Sequence, residues 1–329
     1  MTTTARAWCR VDLAGGTLDI WPLGLFHPGA RTVNVAIDLA ATVRLSRSGG
    51  GYAVKQGSSV VRASSVEELS SHPEGALVGV VAGAFGLPPV EVELASDSPR
   101  GGGLGGSSAL AVALIAAAEE EMDLPRTEPH QKVRLARDLE ARLMSLPTGI
   151  QDHYPALLGG ALEIRQEPGG ERVRRLDVDL ERLGDSLVVV YSGASHFSAG
   201  NNWQVVRRRL DGEAEVTELF RGIADSAAEL VPALESGDLP RAGKLMSREW
   251  SFRRRLAEGI STPLLESLIE RALALGAWGG KACGAGGGGC LAFLCPPERK
   301  SGIAQGLEEL RGQVLPARPT GEPLSIGRA

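Results

Sequence analysis

The chain has 329 residues, of which 43% are hydrophobic, 23% charged and 4% aromatic, and its formal net charge is −5. That length suits one large or two medium domains with their own cores, and the composition excludes a disordered or collagen-like chain. The negative balance offers no global field for nucleic acid, no segment approaches the roughly 20 apolar residues of a membrane span, and MTTTARAWCR lacks the apolar core of a signal peptide. The expectation is a cytoplasmic protein, monomer or homodimer, without nucleic-acid or membrane partners.

In chain order, TARAWCRVDL is strand-like and runs into a tight AGG turn that presents Thr17 and Asp19 on its far side. Asp19 either caps the next segment or faces a ligand. Residues 31–66 alternate well enough for several strands, VNVAIDLAATVRL foremost, with SRSGGG as a hairpin turn and YAVKQ as the return. A helix is predicted over 75–85 and a strand over 90–95. Strands first, then helices, point to an antiparallel or mixed sheet with helices on one side, and against a Rossmann alternation.

The organising stretch is 96–118, SDSPRGGGLGGSSALAVALIAAA. Gly101, Gly102, Gly103, Gly105 and Gly106 surround Leu104, and Ser107 and Ser108 follow at the start of an apolar helix. Glycines let backbone N–H groups turn toward an anion, and the first helical turn leaves donors free with a partial positive charge. The pattern is a phosphate cradle rather than a linker. It is not a P-loop, because Gly106 stands where GxxxxGK[ST] needs a Lys. Gly101, Gly103 and Gly106 formally satisfy a dinucleotide fingerprint, but so do Gly284, Gly286 and Gly289, and Glu119 to Glu121 fall at the end of the helix rather than at a strand tip.

A second helix is predicted over 128–146, with Glu140 in its C-terminal half. PTGIQDHYPALLGG then sets Asp152 between turn residues, either as a solvated loop acid or as a reacting one. The composition changes near Leu183, giving expected domains at 1–183 and 184–329, the second helical for about 80 residues after its first strand. SGASHFSAGNNWQ, with His196, is either a sugar-facing wall or an N-capping loop. Arg207 to Arg209 and Arg253 to Arg255 are solvated helix faces, or one cluster meets a phosphate on the substrate. GAWGGKACGAGGGGCLAFL gives a strand, a glycine turn and a buried return strand. Cys9, Cys283, Cys290 and Cys295 lack CxxC spacing and are expected as buried reduced thiols, those near the glycine loops being open to oxidation.

Three of these stretches, in order, resemble the motifs of the GHMP kinases. SPRGGGLGGSSA resembles the central PxxxGLGSSA motif, AGGTLD the acceptor-binding opening, and KACGAGGGG the third motif; GIQDHY with Glu140 twelve residues earlier is similar to the heptose-phosphate and fucose kinase branch. The resemblance implies an α+β, two-domain fold with an N-terminal mixed sheet and a C-terminal α/β sandwich. It implies transfer of the ATP γ-phosphate to a hydroxyl, the anomeric one in that branch, of a small-molecule sugar or sugar phosphate. ATP would lie on residues 101–108, and Ser108 and Glu140 would hold Mg²⁺, with Ser107 alongside. Asp152 would accept the hydroxyl proton and Arg10 would sit near the reacting oxygen. Asp19, Gly16, Thr17, Gly286 and Gly287 would meet the acceptor, and Lys281 matches a basic position of some members. Ile150 departs from the branch, which often carries Lys there; Arg10 is the candidate source of the missing charge. Galactose or another polyol as acceptor, a silent sugar sensor and a nicotinamide-dependent dehydrogenase are the rival readings.

Overall fold

The alternation in TTTARAWCRVDLA forms β1 (Thr2–Ala14), whose side chains become fully buried from Ala7 onward, apart from a slightly exposed Trp8 and Arg10. The computed structural model describes residues 1–195 and 199–329; the side chains of 196–202 are not described, so the expectation for His196 and the amides beside it lies outside the described residues. β1 pairs antiparallel with β2 (Arg31–Arg47), the first and longest of the strands expected over 31–66.

After β2 come β3 (Tyr52–Gln56), β4 (Ser59–Ala63), α1 (Val66–Ser71), α2 (Ala76–Phe85) and β5 (Val90–Ser96). The expected hairpin through SRSGGG does not form. β5 inserts between β2 and β3, antiparallel to the first and parallel to the second, and β3 closes its hairpin with β4 instead. A local turn pattern cannot reveal this, since a strand's partner is chosen by which apolar face it covers. Val90, Val92 and Leu94 supply a buried face suited to the interior position.

β5 delivers the chain to the glycine loop and α3 (Gly106–Glu121), followed by α4 (Pro129–Met144) and α5 (His153–Leu158). α3 is hydrophobic all round and correspondingly buried on nearly every side. Val112, Leu114 and Ile115 have no exposure, each contributing about 1.5–3 kcal/mol of burial. A buried ion pair, Lys132 Nζ to Glu119 Oε2 at 2.6 Å, ties α4 to α3.

β6 (Ala161–Glu167) pairs with β2 and with β7 (Gly170–Arg175), and α6 (Leu180–Ser186) leads out of this sheet. The second sheet has the order β11-β8-β10-β9, built from β8 (Leu187–Tyr191), β9 (Gly279–Ala282), β10 (Cys290–Leu294) and β11 (Gln313–Leu315). Between β8 and β9 run α7 (Ala199–Leu210), α8 (Ala214–Glu235), α9 (Leu239–Arg253) and α10 (Pro263–Ala274), and α11 (Lys300–Glu308) follows β10. Leu230 and Val231 of α8 share one core with Val11 of β1 and Val33 of β2, so the second sheet and its helices pack on the back of the first sheet. β12 (Ser325–Arg328) then returns to pair with β1. Among the described residues no helix is long and apolar enough to cross a membrane.

Candidate active site

The glycine loop is shaped by alternating left-handed backbone: Gly101, Gly103 and Gly105 have φ of 66°, 70° and 73°. At Gly103 a Cβ would lie 2.6 Å from the Cys283 carbonyl oxygen, and at Gly105 it would press on Asp152. These glycines therefore permit both the curve of the loop and its close approach to the third motif. The Leu104 side chain is buried beneath the loop and its carbonyl accepts from Arg10 N at 2.9 Å, so its contribution to the loop surface is through the backbone. A cavity of about 400 Å³ is lined by Gly101 to Ser108 and by Asp152.

A second cavity, of about 220 Å³, shares Gly103, Ser107, Ser108 and Asp152 with the first. Arg10, Thr17, Asp19, Glu140 and Gln151 also line it. Arg10, carried on β1, donates from Nε and Nη2 to Asp152 Oδ1 at 2.9 and 2.6 Å, and from Nη1 to the Gly103 carbonyl at 2.5 Å. Burial opposes the charge on Arg10, but Asp152 and Asp12 outweigh it and hold the guanidinium above its ordinary value. Ile150, where the resemblance expects Lys, is buried, and the cation beside Asp152 is Arg10.

Ser108 Oγ donates to the Glu140 carboxylate, 3.1 Å from Oε1 and 2.9 Å from Oε2. The His153 ring approaches Glu140 Oε2 at 2.7 Å as a close charge contact rather than an aligned hydrogen bond. Burial works against charge on His153, yet Glu140, Asp152 and Asp19 raise its pKa above the ordinary value. Among the described residues no cluster of three His, Cys, Asp or Glu could hold a metal. The hydroxyl and carboxylate of Ser108 and Glu140 are instead an oxygen-only pair of the kind a hard cation accepts when phosphate oxygens complete its shell.

Asp19 is buried, and its Oδ2 accepts from the backbone N–H groups of Ile150 and Gln151 at 2.7 and 2.9 Å. This fixes the segment leading to Asp152. Its Oδ1 is buried without a hydrogen-bond partner, as is Gln151 Oε1, and both residues line the acceptor-side cavity. Two buried acceptors without partners on residues that line one cavity are polar groups whose hydrogen-bonding capacity the protein itself does not use. Gln151 lies within the GIQDHY stretch singled out in the sequence, where the expectation fell on its neighbour Asp152 and not on the amide.

Several sequence expectations are corrected here. Arg253 is not a solvated residue: it is buried, ion-paired with Glu249, and donates to Thr17 Oγ1 at 3.0 Å and the Gly16 carbonyl at 2.7 Å. Position within an Arg-Arg-Arg run hid it, whereas Arg254 and Arg255 do pair with acids at the surface. Thr17 thereby keeps φ at 71°. Lys281 is also fully buried, 2.9 Å from Asp12 Oδ2 and 3.4 Å from Glu249 Oε2, and holds this network rather than lining a cavity. Gly284 and Ala285 line the acceptor-side cavity, while Gly286 and Gly287 turn against the Ile260 carbonyl, to which Gly287 N donates at 2.6 Å. The four cysteines are buried, and burial pushes the Cys9 thiol up to about 12 and Cys283 to about 11, opposite to what oxidation sensitivity requires.

Residues 74–160 match the GHMP kinases N terminal domain and residues 230–311 the GHMP kinases C terminal domain. The chain is 28% identical over 223 residues to the D-glycero-alpha-D-manno-heptose 7-phosphate kinase of Campylobacter jejuni; the alignment covers 67% of this chain and 65% of that enzyme, just under two thirds of the relative's length. It is 30% identical over 268 residues to the mevalonate kinase of Pyrococcus abyssi, covering 79% of this chain and 75% of the other. Among solved structures, a D-glycero-D-manno-heptose 1-phosphate kinase from Bacteriodes thetaiotaomicron has a TM-score of 0.78 over 99% of both chains at 22% identity, a likeness of fold.

Proposed function

This chain belongs to the GHMP kinases, ATP-dependent phosphotransferases with an alcohol group as acceptor, and we propose that its acceptor is a sugar or sugar phosphate of the heptose 7-phosphate class, phosphorylated at the anomeric hydroxyl. The observation that carries this reading is the meeting of two cavities at Ser108 and Asp152, one walled by the glycine loop and the other by hydrogen-bonding side chains. Family membership removes the dehydrogenase alternative. The kinship with a heptose 7-phosphate kinase supports the acceptor class.

In this reading the loop amides and the first turn of α3 hold the polyphosphate. The acceptor lies against Thr17, Asp19 and Gln151. Asp152 accepts the proton of the attacking hydroxyl, and Arg10 orients that carboxylate and stabilises negative charge at the junction. When bound by Ser108 and Glu140, Mg²⁺ supplies neutralisation of the charge on the phosphates.

The test is ADP release with ATP and Mg²⁺ over mannoheptose 7-phosphate, fucose, galactose and mannose, with Asp152→Ala as control. Turnover of the heptose phosphate that disappears in the variant supports the reading. Preference for galactose or fucose moves the acceptor elsewhere in the family, and ATP binding with no ADP from any sugar favours a silent sensor.

A further inference from the structure

We propose that a third cavity, beyond the acceptor pocket, is a subsite for a phosphate monoester carried at the far end of the acceptor, read by Arg134 and Arg137. The proposal rests on the sugar-phosphate reading above and names the part of the protein that would select the phosphorylated form.

This cavity, of about 510 Å³, shares Asp19, Pro147 and Thr148 with the acceptor-side cavity, so the two are neighbouring compartments of one cleft. Arg134 and Arg137 lie six and three residues before Glu140 on α4, which places their backbones about 9 and 4.5 Å along the helix from it. An ester several bonds away from the reacting hydroxyl falls in that range.

Two guanidinium groups, Arg134 and Arg137, line this cavity together with the carboxylates of Asp19, Glu167 and Glu171. Arg137 uses Nε and Nη2 on Oδ1 of its exposed neighbour Asp138, leaving Nη1 without a hydrogen bond among the described residues. Arg134 makes one long contact, Nη2 to Glu171 Oε2 at 3.5 Å. Gln166 Nε2, buried on the same wall, has no partner. Of the acids that line the cavity, Glu171 accepts from Tyr154 Oη at 2.6 Å besides facing Arg134, Glu167 lies 3.6 Å from Arg172, and Asp19 accepts on Oδ2 from the backbone of residues 150 and 151. Two guanidinium groups match the oxygens of a phosphate, which accepts bidentate donation, better than they match neutral hydroxyls. The arginine clusters singled out in the sequence do not compete for this role, since Arg253 is locked in the buried network and Arg207 to Arg209 do not line the cleft.

The experiment compares mannoheptose 7-phosphate with the free heptose as acceptors for the wild type, Arg137→Ala and the double variant Arg134→Ala/Arg137→Ala. The expected result is a rise of about 10- to 100-fold in KM for the phosphorylated sugar in the double variant, with kcat little changed and the free sugar unaffected. Unchanged free-sugar turnover also shows that the variant is folded. An unaltered ratio of kcat/KM between the two sugars would overturn the subsite. Should the wild type turn over neither sugar, the acceptor reading fails, and the subsite is decided by calorimetry with inorganic phosphate after the glycine loop is saturated with a non-hydrolysable ATP analogue and Mg²⁺. Phosphate binding by the wild type that the double variant loses supports it; no binding, or equal binding by both, removes it.

Discussion

Arg10 and Asp152, 142 positions apart in the chain, form a two-pronged ion pair in which both prongs fall on the same carboxylate oxygen, Oδ1, at 2.9 and 2.6 Å. Asp152 Oδ2 has no hydrogen bond from the described residues, and the side chain keeps 27% exposure while Arg10 keeps 2%. One oxygen is thus held and the other is available to a substrate. Asp152→Asn is expected to lower kcat by roughly 10²- to 10⁴-fold with little change in ATP affinity, measured by ADP release and nucleotide titration. Near-normal turnover would take Asp152 out of the base role.

Ser108 and Glu140 give a prediction about the metal. Glu140→Gln keeps the shape but removes the charge opposite the Ser108 hydroxyl, 2.9 Å away. The free Mg²⁺ needed for half-maximal rate is expected to rise at least about tenfold, since carboxylate charge is what a hard cation selects. A Mg²⁺ dependence like that of the wild type would exclude Glu140 as a ligand.

Asp19, buried in the cleft, ties stability to pH. Burial pushes its carboxyl from 3.8 up to about 6, against the backbone donors that pull it down. Below about pH 4 both folded and unfolded chains carry the neutral acid, so no penalty exists. Between about 4 and 6 the unfolded chain ionises first, and above 6 the folded chain bears the full cost of a buried charge, about 3 kcal/mol at most. Asp19→Asn, which retains an oxygen for Ile150 and Gln151, should therefore be more stable than the wild type at pH 7 by about 1–3 kcal/mol and equal to it near pH 4, while its acceptor KM rises. Urea unfolding at the two pH values decides; a difference independent of pH would rule out titration of Asp19.

The network of Asp12, Glu249, Arg253 and Lys281 supports the turn that carries Gly16 and Thr17. Arg253→Ala leaves Glu249 buried without its guanidinium and is expected to cost about 3–5 kcal/mol. Arg253→Lys keeps the charge but cannot span Thr17, Gly16 and Glu249 together. It should raise the acceptor KM while leaving the ATP KM in place, and an equal rise in both would point to general loosening instead.

What the sequence determined by itself is the local chemistry. The run from Gly101 to Ser108 needs left-handed backbone and free amides wherever it folds, and the apolar stretch after it has to be a buried helix, α3. Glu140 sits in a helical pattern and Asp152 just after its end, so their order and separation are readable. The CLAFL flank of the third motif is apolar enough to be a buried strand, β10.

Tertiary structure decided the pairings, because the free energy of an ion pair or strand contact depends on which distant faces are buried together and leaves no periodic trace in the chain. The position of β5 between β2 and β3, the return of β12 to β1, the conversion of Arg253 from an apparent surface charge into a buried clamp, and the hold of Asp19 on residues 150 and 151 are all of this kind. So is the run of the cleft from Asp19 toward Arg134 and Arg137, whose walls come from α4, the 147–150 segment and β7. Local spacing supplies the reacting groups; only packing of the two sheets and their helices sets one carboxylate against one guanidinium at the junction of two cavities.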